Sequence, residues 1–127
     1  FMIFNNAKSE GYLDYPLSFI VDSCQITKQR ISLEKDEKKI LEDRKKYNTC
    51  MNFVLALSST LNRRCISKIE KKISPENALT FADLSNVHST TDIINEIMDY
   101  SNKYPHFLNQ IAWLHASKAI SQKWPCK

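Results

Sequence analysis

A single glycine, Gly11, serves all 127 residues of this chain. Glycine is the residue that takes a positive φ without steric cost, so tight hairpins and phosphate-cradling loops depend on it. One glycine cannot build a Walker loop, a dinucleotide-binding fingerprint or a nucleophile elbow. Nucleotide-dependent and serine-hydrolase chemistries of those kinds are therefore excluded, and a hairpin-rich sheet protein is disfavoured. No HExxH pair and no EF-hand loop occurs. No CxxC occurs either, so the cysteines indicate neither a thioredoxin-like redox pair nor a zinc knuckle. His88, His106 and His115 are scattered and are expected to be surface or satisfied core residues. No catalytic residue, metal ligand or cofactor is assigned, and the chain is expected not to be an enzyme.

Long hydrophobic runs are also missing. The longest uncharged stretch, residues 47–62, is interrupted by Asn48, Asn52 and Ser58-Ser59-Thr60. It is too polar for a transmembrane helix and reads as a buried helix segment. No Asn-x-Ser/Thr triplet exists, and the rare variant Asn48-Thr49-Cys50 is void if Cys50 is oxidised. The chain opens FMIF without an initiator Met, which fits a mature product whose signal peptide has been removed.

What is present points to one all-α domain, a disulfide-stapled antiparallel bundle of about five helices organised on a long central one. A chain of this size buries a core without help, and 43% hydrophobic with 25% charged residues is ordinary for a globular domain. The central helix is expected over residues 38–73, which contain no Gly and no Pro. Leu33, Ile40, Tyr47, Val54 and Leu61 recur every seven residues, and Cys50, Leu57, Cys65 and Ile69 widen the stripe. Such a repeat marks a seam between packed helices. A first helix is expected over 14–32, capped by Asp14, with Leu17, Ile20, Val21, Cys24 and Ile31 in 3.6-residue rhythm. The charged run at 34–37 is the turn, and Asp36 caps the central helix. Ser74-Pro75-Glu76 opens a helix over 75–85, with Ser as cap and Pro in the first turn. Thr90 or Thr91 caps a helix over 92–102, and Tyr104-Pro105 opens the last one, over 105–123. Residues 1–13 form an N-terminal arm.

Cys24, Cys50, Cys65 and Cys126 are even in number and widely spaced, which suits two disulfides. Cys24 and Cys50 each lie thirteen residues from Glu37. An antiparallel hairpin centred there sets them side by side, which leaves Cys65 for Cys126. Cys50–Cys65 is disfavoured, because on one continuous helix a 1.5 Å rise separates them by over about 20 Å, and Cys24–Cys50 with Cys65–Cys126 ranks first of the three connectivities that four cysteines allow.

The net charge of +4 permits an acidic partner without demanding one. Basic runs lie along the central helix but alternate with Glu34, Asp36, Glu37, Glu42, Asp43 and Glu70. Residues 74–102 hold five acids and no Lys or Arg, so this segment is expected to neutralise the basic end of the central helix and nucleic acid is disfavoured. Tyr100, Tyr104, Phe107, Trp113 and Trp124 crowd the C-terminal third and are candidates for an apolar groove. The expected function is that of a secreted, non-enzymatic binding protein acting on another protein. Two alternatives stand beside it. One is a carrier of a small hydrophobic ligand or lipid, with a cavity near Trp113. The other is a cytosolic helical adaptor with free thiols.

Overall fold

The computed structural model describes residues 15–70 and 81–127. Among these residues the chain is all-α, with five α-helices and no strand. They are α1 (Leu17–Cys24), α2 (Lys28–Leu33), α3 (Glu37–Ile69), α4 (Thr90–Lys103) and α5 (Ala112–Lys123). A 3-10 turn, Pro105–Phe107, precedes α5. The expected arm at 1–13, the Asp14 cap and the Ser74-Pro75-Glu76 start lie outside the described residues.

The 33 residues of α3 set the frame. The Asp36 side chain accepts from Lys38 N at 3.0 Å and satisfies one of the donors a helix leaves open at its start. At 1.5 Å per residue α3 is about 50 Å long. Its described neighbours have 6 to 14 residues, so none can cover it from end to end. Burial follows that arithmetic. Cys50, Phe53, Val54, Leu57, Leu61 and Cys65 are buried along the middle of α3, against Leu17, Ile20, Ile93, Ile97, Ala112, Ala116 and Ile120 of the other helices. The outermost positions of the expected stripe are not covered: Leu33 is 71% and Ile69 61% exposed.

The first helix is two helices. Residues 25–27 break it, because Thr27 Oγ1 accepts from Arg30 N at 3.1 Å and so caps a new helix. A hydroxyl cap competes with continuation of the ladder, and the turn also sinks Ile26 into the core. The last helix starts at Ala112 and not near Pro105, again for a hydrogen-bonding reason. The first N–H groups of α1 have no partner inside their own helix. Leu17 N donates to Gln110 O at 2.8 Å and Ser18 N to Leu108 O at 2.9 Å, while Ala112 N donates back to Tyr15 O at 2.8 Å. Ile111, with φ −60° and ψ 122°, is extended to make this pairing with Pro16.

Residues 81–85, expected at the end of a helix, are not helical. Their N–H groups are used across the fold. Ala82 N donates to Leu61 O at 3.3 Å, Leu84 N to Asn62 Oδ1 at 2.9 Å, and Asp83 N to Trp124 O at 2.9 Å. The Asp83 carboxylate accepts from Ser85 N and Oγ and turns the chain onward. Ser89 then caps α4 through Thr91 N. Among the described residues no ion pair joins the basic end of α3 to the acids at 83–99, and Lys71, Lys72 and Glu76 lie outside the described residues. Lys68 Nζ lies over the Phe81 ring, 5.3 Å from its centroid, Arg63 donates to Ser59, and Asp83 is occupied by Ser85.

Two disulfides staple the bundle: Cys24–Cys50 joins the end of α1 to the middle of α3, and Cys65–Cys126 joins α3 to the C-terminal tail. Their Cα atoms are 5.0 and 5.6 Å apart. The bonds span 26 and 61 residues. Chain entropy then assigns about 3.5 kcal/mol to the first and about 4 kcal/mol to the second. Replacing Cys65 and Cys126 together by Ser is accordingly expected to reduce the unfolding free energy, measured in urea, by the larger amount. A smaller loss than that from the Cys24/Cys50 double replacement would show that the longer closed loop is not what stabilises the fold.

Candidate binding groove

The overhang of α3 creates the candidate site. Ile40 and Tyr47 carry on the apolar stripe towards the start of α3, where α2, only six residues long, lies beside them among the described residues. A helix that short covers little area, and both side chains are left half-buried. One recess of about 530 Å3 opens between α2 and α3, lined by the apolar Ile31, Ile40 and Tyr47 and by polar side chains that include Lys28, Glu34 and Arg44. A second, of about 420 Å3, opens where the α1–α2 turn meets α3 and the start of α4. Cys24, Ile26, Met51, Thr90 and Ile94 line it, again with Lys28 and Tyr47. Tyr47 is the ridge common to both. Neither recess is enclosed, and each is within the size range of ordinary ligand pockets.

The Cys24–Cys50 bond braces this region. Cys24 forms part of the wall of the second recess, and Cys50 lies one turn beyond Tyr47 on α3. An ion pair fixes α2 from the other side: Arg30 Nε is 3.6 Å from Asp43 Oδ2. The Asp43 side chain is only 3% exposed, and its Oδ2 accepts no hydrogen bond among the described residues, so Arg30 is the group that compensates this buried carboxylate. Lys46 Nζ, 3.1 Å from Asp22, ties α3 to α1. Among the described residues, Lys28 and Arg44 make no ion pair.

The five aromatics picked out in the sequence do not form one surface. Tyr100, Tyr104 and Phe107 do meet: ring centroids are 5.0 Å apart for Tyr100–Tyr104 and 5.9 Å for Tyr104–Phe107. Trp113 faces elsewhere, edge-on to Phe53 in the core at 5.8 Å. Trp124 caps α5, and its carbonyl holds Asp83 N. Neither recess includes any of the five. The sequence pattern placed Tyr47 and Ile31 on packing faces and marked none of Tyr47, Lys28, Ile31, Met51 and Ile94 as site residues. One signal for them existed: α2, KQRISL, offers little apolar surface to cover Ile40 and Tyr47.

The two histidines of this region share a neighbour because the chain is not helical between them. Phe107 lies 4.2 Å from the His106 ring and is stacked on His115 at 4.1 Å, centroid to centroid. His115 is fully buried. Its Nε2 is 2.9 Å from Gln110 Oε1 and its Nδ1 is 3.2 Å from the Tyr100 hydroxyl. With the Gln110 carbonyl oxygen facing the ring, Nε2 carries the proton and donates, and Nδ1 accepts from Tyr100. Both nitrogens are thus satisfied in the neutral form. Burial holds the His115 pKa below the usual histidine range, and the charges of Lys118 and His106 act in the same direction. Burial, with Tyr104 beside it, raises that of Tyr100.

Among the described residues, no group of three or more His, Cys, Asp or Glu side chains is placed to hold a metal ion, and no helix is long and apolar enough to cross a membrane. No protein-family model matches the chain, and no curated protein or solved structure matches it.

The state of His115 gives a pH test. Its folded-state pKa is lowered from the unfolded value of about 6.5, so the unfolded chain binds the proton more tightly. The stabilisation is complete above about pH 6.5 and is lost as pH falls through the folded-state value. Urea unfolding free energies measured from pH 8 down to pH 5 are expected to fall in the wild type and to fall less in His115→Gln. Equal slopes in the two proteins would show that His115 is not the responsible group. The Arg30–Asp43 pair gives a second test. Arg30→Met leaves a buried carboxylate without its cation and is expected to cost about 1–3 kcal/mol in the same assay, more than Asp43→Asn.

Proposed function

We propose that this protein is a secreted, non-enzymatic binding protein that receives a segment of another protein in the groove centred on Tyr47. The observation that carries this reading is the pair of open recesses sharing Tyr47 and Lys28, each lined by apolar side chains together with polar ones. Apolar anchors surrounded by polar groups are how protein interfaces concentrate their energy. Secretion is supported by the pairing of all four cysteines, since such bonds persist in oxidising compartments. The same pairing leaves the adaptor with free thiols without support. A lipid carrier needs an enclosed apolar cavity near Trp113, whereas Trp113 packs against Phe53 and both recesses open to solvent.

A competing apolar face exists and makes the test decisive. Phe19 is 43%, Ile111 50% and Leu114 47% exposed. Phe19 follows Pro16 by one turn and Leu114 follows Ile111 by one turn, on either side of the Pro16–Ile111 pairing. Peptides selected by display against the folded protein are expected to shift backbone amide NMR signals of α2 and of residues 40–51. Tyr47→Ala should weaken them by at least about tenfold, the scale set by losing one buried aromatic anchor. A footprint on Phe19, Ile111 and Leu114, with Tyr47→Ala unaffected, would overturn the proposal.

A further inference from the structure

We infer that the segment received by this groove is acidic, carrying a carboxylate that Lys28 and Arg44 hold while its neighbouring apolar side chains occupy the recesses on either side of Tyr47. This rests on the groove being the binding surface. It adds the chemistry of what binds there.

The inference comes from which charges around the groove are already occupied. Of the nearby acids, Asp43 is committed to Arg30 at 3.6 Å and Asp22 to Lys46 at 3.1 Å. Glu34 Oε1 accepts from Asp36 N at 3.3 Å, and Asp36 in turn accepts from Lys38 N at 3.0 Å as the cap of α3. Lys28 and Arg44 remain, exposed and without an ion pair among the described residues, one on the α2 wall and one on the α3 wall of the same recess. Glu34 keeps its negative charge in the same recess, but Lys28 and Arg44 outnumber it, and this excess of cations favours an anionic group and disfavours a cationic one. The guanidinium of Arg44 can take a carboxylate in bidentate fashion, and Lys28 adds a mobile point charge. The apolar lining needs a hydrophobic anchor as well, which a bare anion cannot supply. Two open recesses that share Tyr47 and Lys28 suit successive side chains of a peptide better than one sealed ligand.

The test uses the full chain with both disulfides intact and three synthetic peptides read by fluorescence anisotropy. One peptide pairs leucines with glutamates, the second has glutamines in place of the glutamates, and the third has lysines. The glutamate peptide is expected to bind at least about tenfold more tightly than the glutamine peptide, and the lysine peptide not to bind. The preference should shrink as salt rises from about 0.01 M to about 0.15 M, where screening shortens the reach of exposed charges. Lys28→Glu and Arg44→Glu, both exposed and so compatible with folding, should each remove most of the preference. Equal binding of the glutamate and glutamine peptides, or indifference to both reversals, overturns the acidic segment. The groove reading survives that result if Tyr47→Ala still abolishes binding, and falls if Tyr47→Ala changes nothing. Decanoate that displaces the glutamate peptide and binds more tightly, with the same dependence on Lys28 and Arg44, would assign the site to a lipid carboxylate and overturn the peptide.

Discussion

One helix is more than twice as long as any other described helix available to cover it, and the remaining architecture follows from that mismatch. The middle of α3 carries Cys50, Phe53, Val54, Leu57, Leu61 and Cys65, all buried. Burying large apolar side chains is worth about 1.5 to 3 kcal/mol each, so this stripe fixes where α1, α4 and α5 must lie. The neighbours are short, and they converge on the middle. Small residues at Ala112, Ala116 and Ala119 bring α5 close to the core. The two disulfides are fastened to the same stretch of α3, at Cys50 and Cys65, one to each side of Leu57.

The same mismatch leaves the N-terminal half of α3 with an apolar stripe and a six-residue partner. Thr27 caps the start of α2 and Glu34 its end, and beside these six residues Ile40 and Tyr47 are left half-buried. Functional surfaces arise readily at such places, because an element that must persist for the core also projects where nothing is required to cover it. The braces around this groove are all of a kind. A disulfide at Cys24–Cys50, the Arg30–Asp43 pair and the Lys46–Asp22 pair hold its walls and leave Lys28 and Arg44 uncommitted among the described residues.

Much of the fold was legible because its signals are local. The absence of Gly and Pro from α3, the seven-residue recurrence through Val54 and Leu61, and the cap at Asp36 are all read within a few residues of where they act. The Cys24–Cys50 pairing needs only the place of one turn, which the charged residues at 34–37 mark. The breaks were not legible. The chain departs from helix at 108–111 because carbonyls there satisfy Leu17 and Ser18, almost a hundred residues away in sequence. Residues 81–84 depart from helix because α3 and the C-terminal tail take their N–H groups. The candidate site moved for a related reason. Aromatic crowding at Tyr100, Tyr104 and Phe107 is real, but Trp113 and Trp124 point to other neighbours, and a groove depends on what fails to cover a residue.

The sequence alone therefore determined the class of fold, the central helix and the residues available for cross-linking, since propensity, periodicity and capping act over one or two turns. The tertiary structure decided where helices stop, which aromatics meet, and which charges are already occupied. Those outcomes depend on distant backbone donors and on relative helix lengths, which no window of sequence contains. Tyr47 shows the division. Its place on the stripe is written in the spacing, whereas its half-exposure between two recesses comes from α2 being only six residues long.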